Sequence, residues 1–376
     1  MNAEPGALLP GRFLEEYWQK QACLVRGALT DYQSPLDGDD LAGLACEAWA
    51  ESRLVQGRYP EPGWTLRHGP FEEDDFAGLP ESHWTLLVQD VEKHFPPLQS
   101  LLTHFDFLPS WRLDDVMVSY AARGGSVGPH VDQYDVFLLQ VQGERLWQIA
   151  SSFDPELLDP CPLNILKRFE AEQEWVVRPG DLLYLPPGVA HHGVALDECM
   201  TFSIGLRAPS TADLLLALGE SLGSREDGLG RYADPDLRPG PAGLIDAAAL
   251  DRLRTMVASS LEDDGALREF SGRFLTRFGL ALEPANPEPD LDPASLAQAL
   301  RDGARLVRNP WTRLAWTRHG KGARLFAAGE AVLCSAELAE RLCRNPEPEL
   351  FSSALSGEDL DAILWLVNRG HLLLED

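Results

Sequence analysis

The sequence has little that would place the protein outside the cytoplasm. Its six cysteines are scattered and form no Cys-x-x-Cys pair, so neither a disulfide framework nor a thiolate zinc site is expected. No apolar run approaches the roughly eighteen residues that cross a bilayer. The N-terminal stretch MNAEPGALLPGRFLEEYW lacks a basic start followed by a long apolar segment, so no secretory signal is expected. We therefore expect a cytoplasmic protein with reduced thiols and no membrane partner.

Positive charge is also scarce. The chain has 32 lysines and arginines against 59 acidic residues, a formal net charge of −27. A surface that follows a phosphate backbone needs concentrated lysine and arginine, so binding to nucleic acid is not expected. The acidic balance is compatible with a basic partner, although solubility alone would also explain it.

The 376 residues are enough for two or three domains. Short runs rich in Val, Ile, Leu, Phe and Tyr, broken by Gly and Pro, extend from Val116 to about Arg207 and predict a β-sandwich or barrel. The strands then give way to helices, and an acidic, proline-rich linker is expected at residues 282–293. The pattern predicts an α+β protein with domains at residues 1–207, 208–282 and 294–376.

Helices are predicted where apolar residues recur at helical spacing. The segments are residues 13–20, 41–51, 84–95, 98–105, 211–222, 247–261, 336–343 and 357–368.

Two short motifs carry the chemistry. In GPHVDQYDVFLL, residues 128–139, His130 and Asp132 are two positions apart and would point to the same face of a strand. Alone, such a pair is more often a polar pair at a sheet edge. Downstream, GDLLYLPPGVAHHG, residues 180–193, has the glycine, proline and histidine spacing of the second cupin motif, ending at His191. The two together, in order and in a β-rich region, predict a metal site. His192 would point away from the metal and is kept as a neighbouring or substrate-facing group.

Two imidazoles and one carboxylate leave three coordination positions open, as in the non-heme Fe(II) oxygenases. A bidentate 2-oxo acid takes two of these positions and O₂ the third, so Fe(II), 2-oxoglutarate and O₂ are the expected cofactors and co-substrates. A structural zinc would need a closed shell. The distal carboxylate of 2-oxoglutarate needs a cation, and Arg145, next to an apolar run, is the best candidate. A surface arginine is the alternative for this residue.

The sequence resembles those of the bacterial JmjC-domain ribosomal oxygenases. The resemblance extends over essentially the whole chain, and the segments that carry it are GGSVGPHVDQYDVFLLQVQGERLW, PGDLLYLPPGVAHHGVAL, FSIGLRAP, HGPFE and WLVNRGHLLLE. It implies a JmjC/cupin double-stranded β-helix (jelly roll) with N-terminal helices, a helical dimerisation region that makes a homodimer, and a C-terminal winged-helix domain.

The resemblance also implies roles. His130, Asp132 and His191 match the iron ligands, and Arg145 matches the arginine for the distal carboxylate. Ser119 is a second candidate for binding 2-oxoglutarate, since the family's serine two positions later is Ala121 here. The implied activity is hydroxylation of the β-carbon (C3) of an arginine in a basic ribosomal protein, large-subunit protein sixteen.

Two other functions use the same motifs. A JmjC protein demethylase would share the iron chemistry but release formaldehyde, and a non-catalytic cupin factor would bind ribosomes without turnover. For an arginine substrate the candidate acidic and stacking groups are Tyr134, Asp135, Asp114 and Asp115, and each acid could equally be a solvated loop residue.

Overall fold

The computed structural model describes residues 10–224, 230–277, 290–344 and 356–375. The chain divides into two compact units, Met1–Ala208 and Pro209–Asp376. The predicted linker at residues 282–293 lies mostly outside the described residues, and the boundaries predicted at 207, 282 and 294 stay predictions. Within the described ranges, no helix is long and apolar enough to cross a bilayer.

Among its described residues, the first unit combines short helices with twelve strands. Its α-helices are α1 (Pro10–Glu16), α2 (Gly38–Cys46), α3 (Glu73–Ala77) and α4 (Val91–His94), and two 3-10 helices cover Pro96–Phe105 and Ser110–Arg112. Its strands are β1 (Cys23–Val25), β2 (Ser52–Gln56), β3 (Thr65–His68), β4 (Trp84–Val88), β5 (Leu113–Ala121), β6 (His130–Val131), β7 (Val136–Gln142), β8 (Arg145–Ala150), β9 (Gln173–Val177), β10 (Leu182–Leu185), β11 (Ala190–Ala195) and β12 (Cys199–Leu206).

These strands form two antiparallel sheets that make the predicted jelly roll. The large sheet has the order β1-β10-β7-β12-β5-β4-β2-β3, and the small sheet has the order β6-β11-β8-β9. All eight residues of β12 are buried, because this strand is central in the large sheet and both of its faces are covered. The helices and the first 3-10 helix pack an apolar core that includes Leu41, Leu98, Phe105 and Phe137.

The helix predicted at residues 84–95 is wrong. Residues Trp84–Val88 form β4 instead, and the chain turns at Asp90, whose φ of 56° is left-handed, before the short helix α4. The run WTLLV is almost wholly buried, and a continuous apolar run fits a buried strand as well as a helix. The error matters for the site, since β4 pairs with β5.

Asp135 joins separate elements of the first unit. Its carboxylate is fully buried and accepts hydrogen bonds from Gln19 Nε2 at 2.9 Å, Arg112 Nη2 at 2.8 Å and the Tyr184 hydroxyl at 2.5 Å. These three donors, one of which is the Arg112 cation, satisfy a charge that burial would otherwise make very unfavourable. The residue therefore stabilises the fold and is not available to a substrate.

The second unit contains six helices and five strands among its described residues. The helices are α5 (Thr211–Gly223), α6 (Ala247–Ser259), α7 (Asp264–Thr276), α8 (Pro293–Asp302), α9 (Ala336–Arg344) and α10 (Gly357–Asn368). The strands are β13 (Arg305–Arg308), β14 (Leu314–His319), β15 (Gly322–Ala327), β16 (Glu330–Cys334) and β17 (Leu372–Glu375). β13 pairs with β17, and β14, β15 and β16 form a meander.

Helix α7, which the sequence patterns did not predict, packs on the β14–β15 hairpin. A Cβ on Gly272 would lie 2.3 Å from Cε2 of Phe326, so only glycine allows this close approach. Arg273 Nη1 donates to the carbonyl of Gly329 at 2.9 Å, and the Gly329 N–H donates to Thr276 Oγ1 at 3.0 Å.

A buried carboxylate lies behind β5. Glu92 in α4 accepts the N–H of Val116 at 2.8 Å. Its Oε1 is 3.7 Å from Nζ of Lys93, which also contacts Asp90. Burial raises the pKa of Glu92 to about 8, although the lysine opposes the shift. Burial therefore favours the protonated form of Glu92 in the folded protein.

We predict that Glu92 makes stability depend on pH. The unfolded chain releases this proton near pH 4.5, whereas the folded chain keeps it up to about pH 8, so the contribution of Glu92 to stability is lost as pH rises between these values. Glu92→Gln keeps an acceptor for Val116 and cannot ionise. Chemical unfolding at pH 5 and pH 8 should give a smaller loss of stability for this variant than for wild type. The exposed Glu81→Gln is the matched control, and equal losses in all three proteins would refute the assignment.

Candidate active site

Three potential metal ligands meet inside the jelly roll. His130 lies on β6 and His191 on β11, and the antiparallel register pairs the two residues directly. Asp132 follows β6. One donor atom from each of the three lies within 4.8 Å of the others, and within the described residues this is the one such group of three or more.

Backbone carbonyls fix the orientation of both imidazoles. Nδ1 of His130 is 2.9 Å from the carbonyl oxygen of Gly128, and Nδ1 of His191 is 3.0 Å from that of Val189. Each Nδ1 must therefore carry a proton and donate it, which leaves the lone pair on Nε2 for a metal. Gly128 has a φ of +78°, and a Cβ there would lie 2.7 Å from Ile165, so glycine is required before His130.

The Nε2 atoms of both histidines face the carboxylate. Nε2 of His191 lies 3.5 Å and Nε2 of His130 lies 3.9 Å from Oδ2 of Asp132. Burial, together with the charge of His130, lowers the pKa of His191 well below its ordinary value. Burial raises the pKa of Asp132, against the effect of His130 and a hydrogen bond from Tyr134. A neutral imidazole and a carboxylate that lacks full hydration both suit a divalent cation.

His192 points away from this group. Its ring packs against Tyr59 at 5.4 Å and Phe169 at 6.0 Å between centroids. Its neighbour His191 faces His130 with 4.2 Å between the ring centroids. The alternation of side chains along β11 therefore separates the two histidines, as the sequence predicted.

Arg145 opens β8 and lines the same pocket as the three ligands. It is 6% exposed, and its Nε and Nη2 have no hydrogen-bond partner among the described residues. Its guanidinium lies 5.7 Å from the ring centre of Trp147. A buried guanidinium without an acceptor is unfavourable. The site therefore fits an anionic group that would bind Arg145 while another part of the same molecule reaches the metal.

Ser119 lies in the pocket but is already engaged. Its hydroxyl donates to the carbonyl oxygen of Thr201 at 3.4 Å. Ala121, two residues further along β5, has no polar atom in its side chain. The threonine opposite Ala121, Thr85 on β4, does line the pocket. Thr85 was not among the predicted site residues, because residues 84–95 were predicted to be a helix.

Asp115 lines the pocket together with Gln89, Met117 and Tyr134. Nε2 of Gln89 donates to its Oδ2 at 2.5 Å, and a Cβ on Gly205 would lie 2.5 Å from its Oδ1. Burial, and then the nearby charge of Asp90, raises the pKa of Asp115 to about 7. The side chain can therefore change its charge near neutral pH.

The other two acids do not share this position. Asp135 is fully buried in the hydrogen bonds described above, and Asp114 is exposed on the opposite face of β5. Among the four groups considered for an arginine substrate, Tyr134 and Asp115 lie at the pocket. Because side chains alternate along β5, Asp115, Met117 and Ser119 share the face that lines the pocket.

A jelly roll with an inward-facing His-x-Asp…His group and a buried cation beside it defines the class of cupin-type, non-heme metal oxygenases. Family models support this class. The JmjC domain model matches residues 100–214, the ROXA-like winged helix matches residues 259–373, and the AraC-like ligand binding domain matches residues 169–271. The predicted winged-helix domain is thereby confirmed.

Comparison with individual proteins identifies the family within this class. The chain is 38% identical to the ribosomal protein uL16 3-hydroxylase of Escherichia coli over 79% of each chain. The X-ray structure of E. coli YcfD superposes with a TM-score of 0.86, at 34% identity and full coverage of both chains. A structure of YcfD, described as a ribosomal oxygenase in complex with cobalt and 2-oxoglutarate, has a TM-score of 0.85 at 34% identity and covers 98% of this chain and 99% of that one. The chain belongs to the JmjC-domain ribosomal oxygenase family.

We predict that the two adjacent histidines differ in metal binding. His191→Ala removes one of three donors and should weaken Co(II) binding by more than about a hundred-fold, since even groups that only orient a ligand contribute ten- to a hundred-fold. His192→Ala, the matched control, should keep the affinity within a few-fold. Titration calorimetry with Co(II) measures both. Similar losses in the two variants would contradict the assignment.

Proposed function

We propose that this protein is an Fe(II)- and 2-oxoglutarate-dependent dioxygenase that hydroxylates C3 of an arginine in ribosomal protein uL16. The observation that carries the proposal is the pairing, in one pocket, of the His130–Asp132–His191 group with the buried and unsatisfied guanidinium of Arg145. The names of the E. coli relatives support both the substrate and the cofactors.

In this proposal His130, Asp132 and His191 would hold Fe(II). When bound, iron, 2-oxoglutarate and O₂ would supply the oxidising chemistry: one oxygen atom of O₂ would enter the succinate that forms together with CO₂, and the other would be inserted into the substrate C–H bond. The carbonyls of Gly128 and Val189 keep the imidazoles oriented. Arg145 binds the distal carboxylate and so fixes the reach of the cosubstrate, and the apolar walls, including Val136 and Leu138, exclude water.

In this proposal the substrate arginine places its guanidinium at the end of the pocket that contains Asp115 and Tyr134. A carboxylate there pairs with the guanidinium, and Met117 and the Tyr134 ring supply apolar and aromatic surface for the methylene stem. A long cationic side chain held at its far end leaves its β-carbon nearer the metal. The net charge of −27 favours the approach of a basic ribosomal protein.

We also propose that the protein is a cytoplasmic homodimer that makes no specific contact with nucleic acid. Leu215 and Leu216 on α5 and Val257 on α6 are exposed. Apolar helix faces of this kind are typical of association surfaces. The acidic balance argues against a phosphate-binding role for the winged helix.

The proposed activity can be tested on ribosomes. Intact-protein mass spectrometry should find uL16 lighter by one oxygen atom when this gene is deleted or carries Asp132→Ala, with fragmentation placing the change on C3 of an arginine. Complementation with the wild-type gene, the control, should restore the mass.

Other outcomes separate the alternatives. A gain of a methyl group's mass in the deletion strain, with formaldehyde released by the purified enzyme, would identify a demethylase. If the mass of uL16 changes in the deletion strain but not in the Asp132→Ala strain, the protein would be a binding factor that does not use iron chemistry. If no ribosomal protein changes in mass, the assignment of a ribosomal protein as the substrate would be wrong.

We predict that Asp115 sets substrate affinity and its pH dependence. Asp115→Asn should raise the KM for an arginine peptide of uL16 by about ten-fold or more, as expected for loss of a charge-assisted hydrogen bond, while the KM for 2-oxoglutarate stays within two-fold. Because the carboxyl group ionises with a pKa of about 7, kcat/KM for the peptide should rise between pH 6 and pH 8 in wild type and be flatter in the variant.

Asp114→Asn is the matched control on the opposite face of β5. The titratable groups around Asp115 include Asp90, Glu92, Lys93 and Asp114, so the control also measures how far a neighbouring charge alone moves the profile. The same pH profile in wild type and Asp115→Asn would remove Asp115 from substrate binding.

A further inference from the structure

Thr85 is a buried hydroxyl without a partner in the pocket. The residue is 1% exposed, and its Oγ1 finds no hydrogen-bond partner in residues 10–224, 230–277, 290–344 and 356–375. Leaving a hydroxyl unsatisfied in the interior is unfavourable. The same side chain lines the pocket that contains the metal ligands and Arg145. Such a hydroxyl is suited to a ligand that supplies an oxygen acceptor.

The registers of the strands place Thr85 at the end of the pocket away from Asp115. On β5, residues Asp115, Met117 and Ser119 line the pocket in that order. β4 runs antiparallel to β5, with Leu87 opposite Ser119 and Thr85 opposite Ala121. Thr85 therefore lies beyond Ser119, at the end of the pocket opposite to Asp115.

Hydrogen bonds connect this end to Arg145. A Cβ on Gly125 would lie 3.0 Å from Thr85 Oγ1, so the hydroxyl is beside that backbone. The Gly125 carbonyl accepts the N–H of Ala195 at 3.0 Å. Ala195 is in turn the partner of Arg145 across the β11–β8 ladder. The unsatisfied hydroxyl and the unsatisfied guanidinium thus belong to one end of the pocket.

The other polar groups there are less suited to the role. Ser119 already donates to a carbonyl, and Ala121 has no polar atom. Trp147 has an unpartnered indole N–H within the described part of the chain, but its ring lies within 6 Å of both the Arg145 guanidinium and the His191 ring. The Trp147 indole therefore lies between the metal ligands and Arg145, whereas Thr85 lies at the end of the pocket away from Asp115.

We propose that the Thr85 hydroxyl donates a hydrogen bond to the distal carboxylate of the 2-oxo acid and shares that carboxylate with Arg145. The inference rests on the proposed function, because it concerns the same cosubstrate. Thr85 is a cosubstrate-binding residue in this view and contributes to selection of a dicarboxylic 2-oxo acid over a monocarboxylic one. One carboxylate with two oxygens can satisfy both groups at once.

The test compares two 2-oxo acids. Calorimetry on Mn(II)-loaded protein gives the Kd of 2-oxoglutarate and of pyruvate, which has the same metal-binding end and no distal carboxylate. Thr85→Val keeps the shape and removes the hydroxyl. This variant should bind 2-oxoglutarate about ten- to a hundred-fold more weakly than wild type, which is the range for loss of a hydrogen bond to a charged group. Its Kd for pyruvate should stay within two-fold of the wild-type value. Thr85→Ser, the matched control, should bind 2-oxoglutarate within three-fold of wild type.

Two results would overturn the inference. In the first, Thr85→Val binds 2-oxoglutarate as wild type does. In the second, it loses affinity for both acids equally, which would assign the hydroxyl to the metal end or to the fold. The Co(II) absorption spectrum and the melting temperature of each variant check the metal site and the fold independently. Failure of the Mn(II)-loaded wild-type protein to bind 2-oxoglutarate would instead refute the proposed function itself.

Discussion

The pairing of β6 with β11 is the constraint on which the site depends. This ladder contains only two residue pairs, and one of them is His130 with His191. A shift of one residue would turn one imidazole to the other face. The longer ladder between β11 and β8, which extends from Ala190 to Ala195, holds β11 in register and so protects the short one. The same ladder fixes the position of Arg145 at the start of β8. The pairing of β11 with its two neighbours therefore determines the positions of both the metal ligands and the guanidinium.

A second constraint is the cost of buried charge. Inside the first unit the charge of Asp135 is satisfied by three donors, including Arg112. Arg145, which is also buried, has Nε and Nη2 without partners in the described ranges. A fold that satisfies one ion so completely and leaves another unsatisfied distinguishes structural charge from charge kept for a ligand. This contrast assigns roles that residue type alone could not assign, since both groups occur beside apolar strands in the sequence.

Much of the site could be predicted from the sequence because spacing is local. The two-residue interval between His130 and Asp132 and the glycine–proline–histidine string before His191 depend only on strand and turn geometry. Many short strands broken by turns predicted a β-sandwich or barrel, and the resemblance to the JmjC oxygenases made this a jelly roll. Thr85 could not be predicted, because its relevance depends on β4 pairing with β5, and a buried strand resembles a helix in apolar content. Asp135 was a candidate for substrate binding because it follows the motif, and only its three-dimensional partners exclude it.

The arrangement also explains how one pocket can accept two charged molecules without confusing them. The end with Arg145 is cationic and binds an anion, whereas the end with Asp115 is acidic and binds a cation, and the metal group lies in the same pocket. Each end rejects the other's ligand, because like charges would meet in a partly desolvated space. Specificity for an arginine substrate and a dicarboxylic cosubstrate would then come from opposite charges at the two ends of a jelly roll, with the strand registers deciding which charge lies at which end.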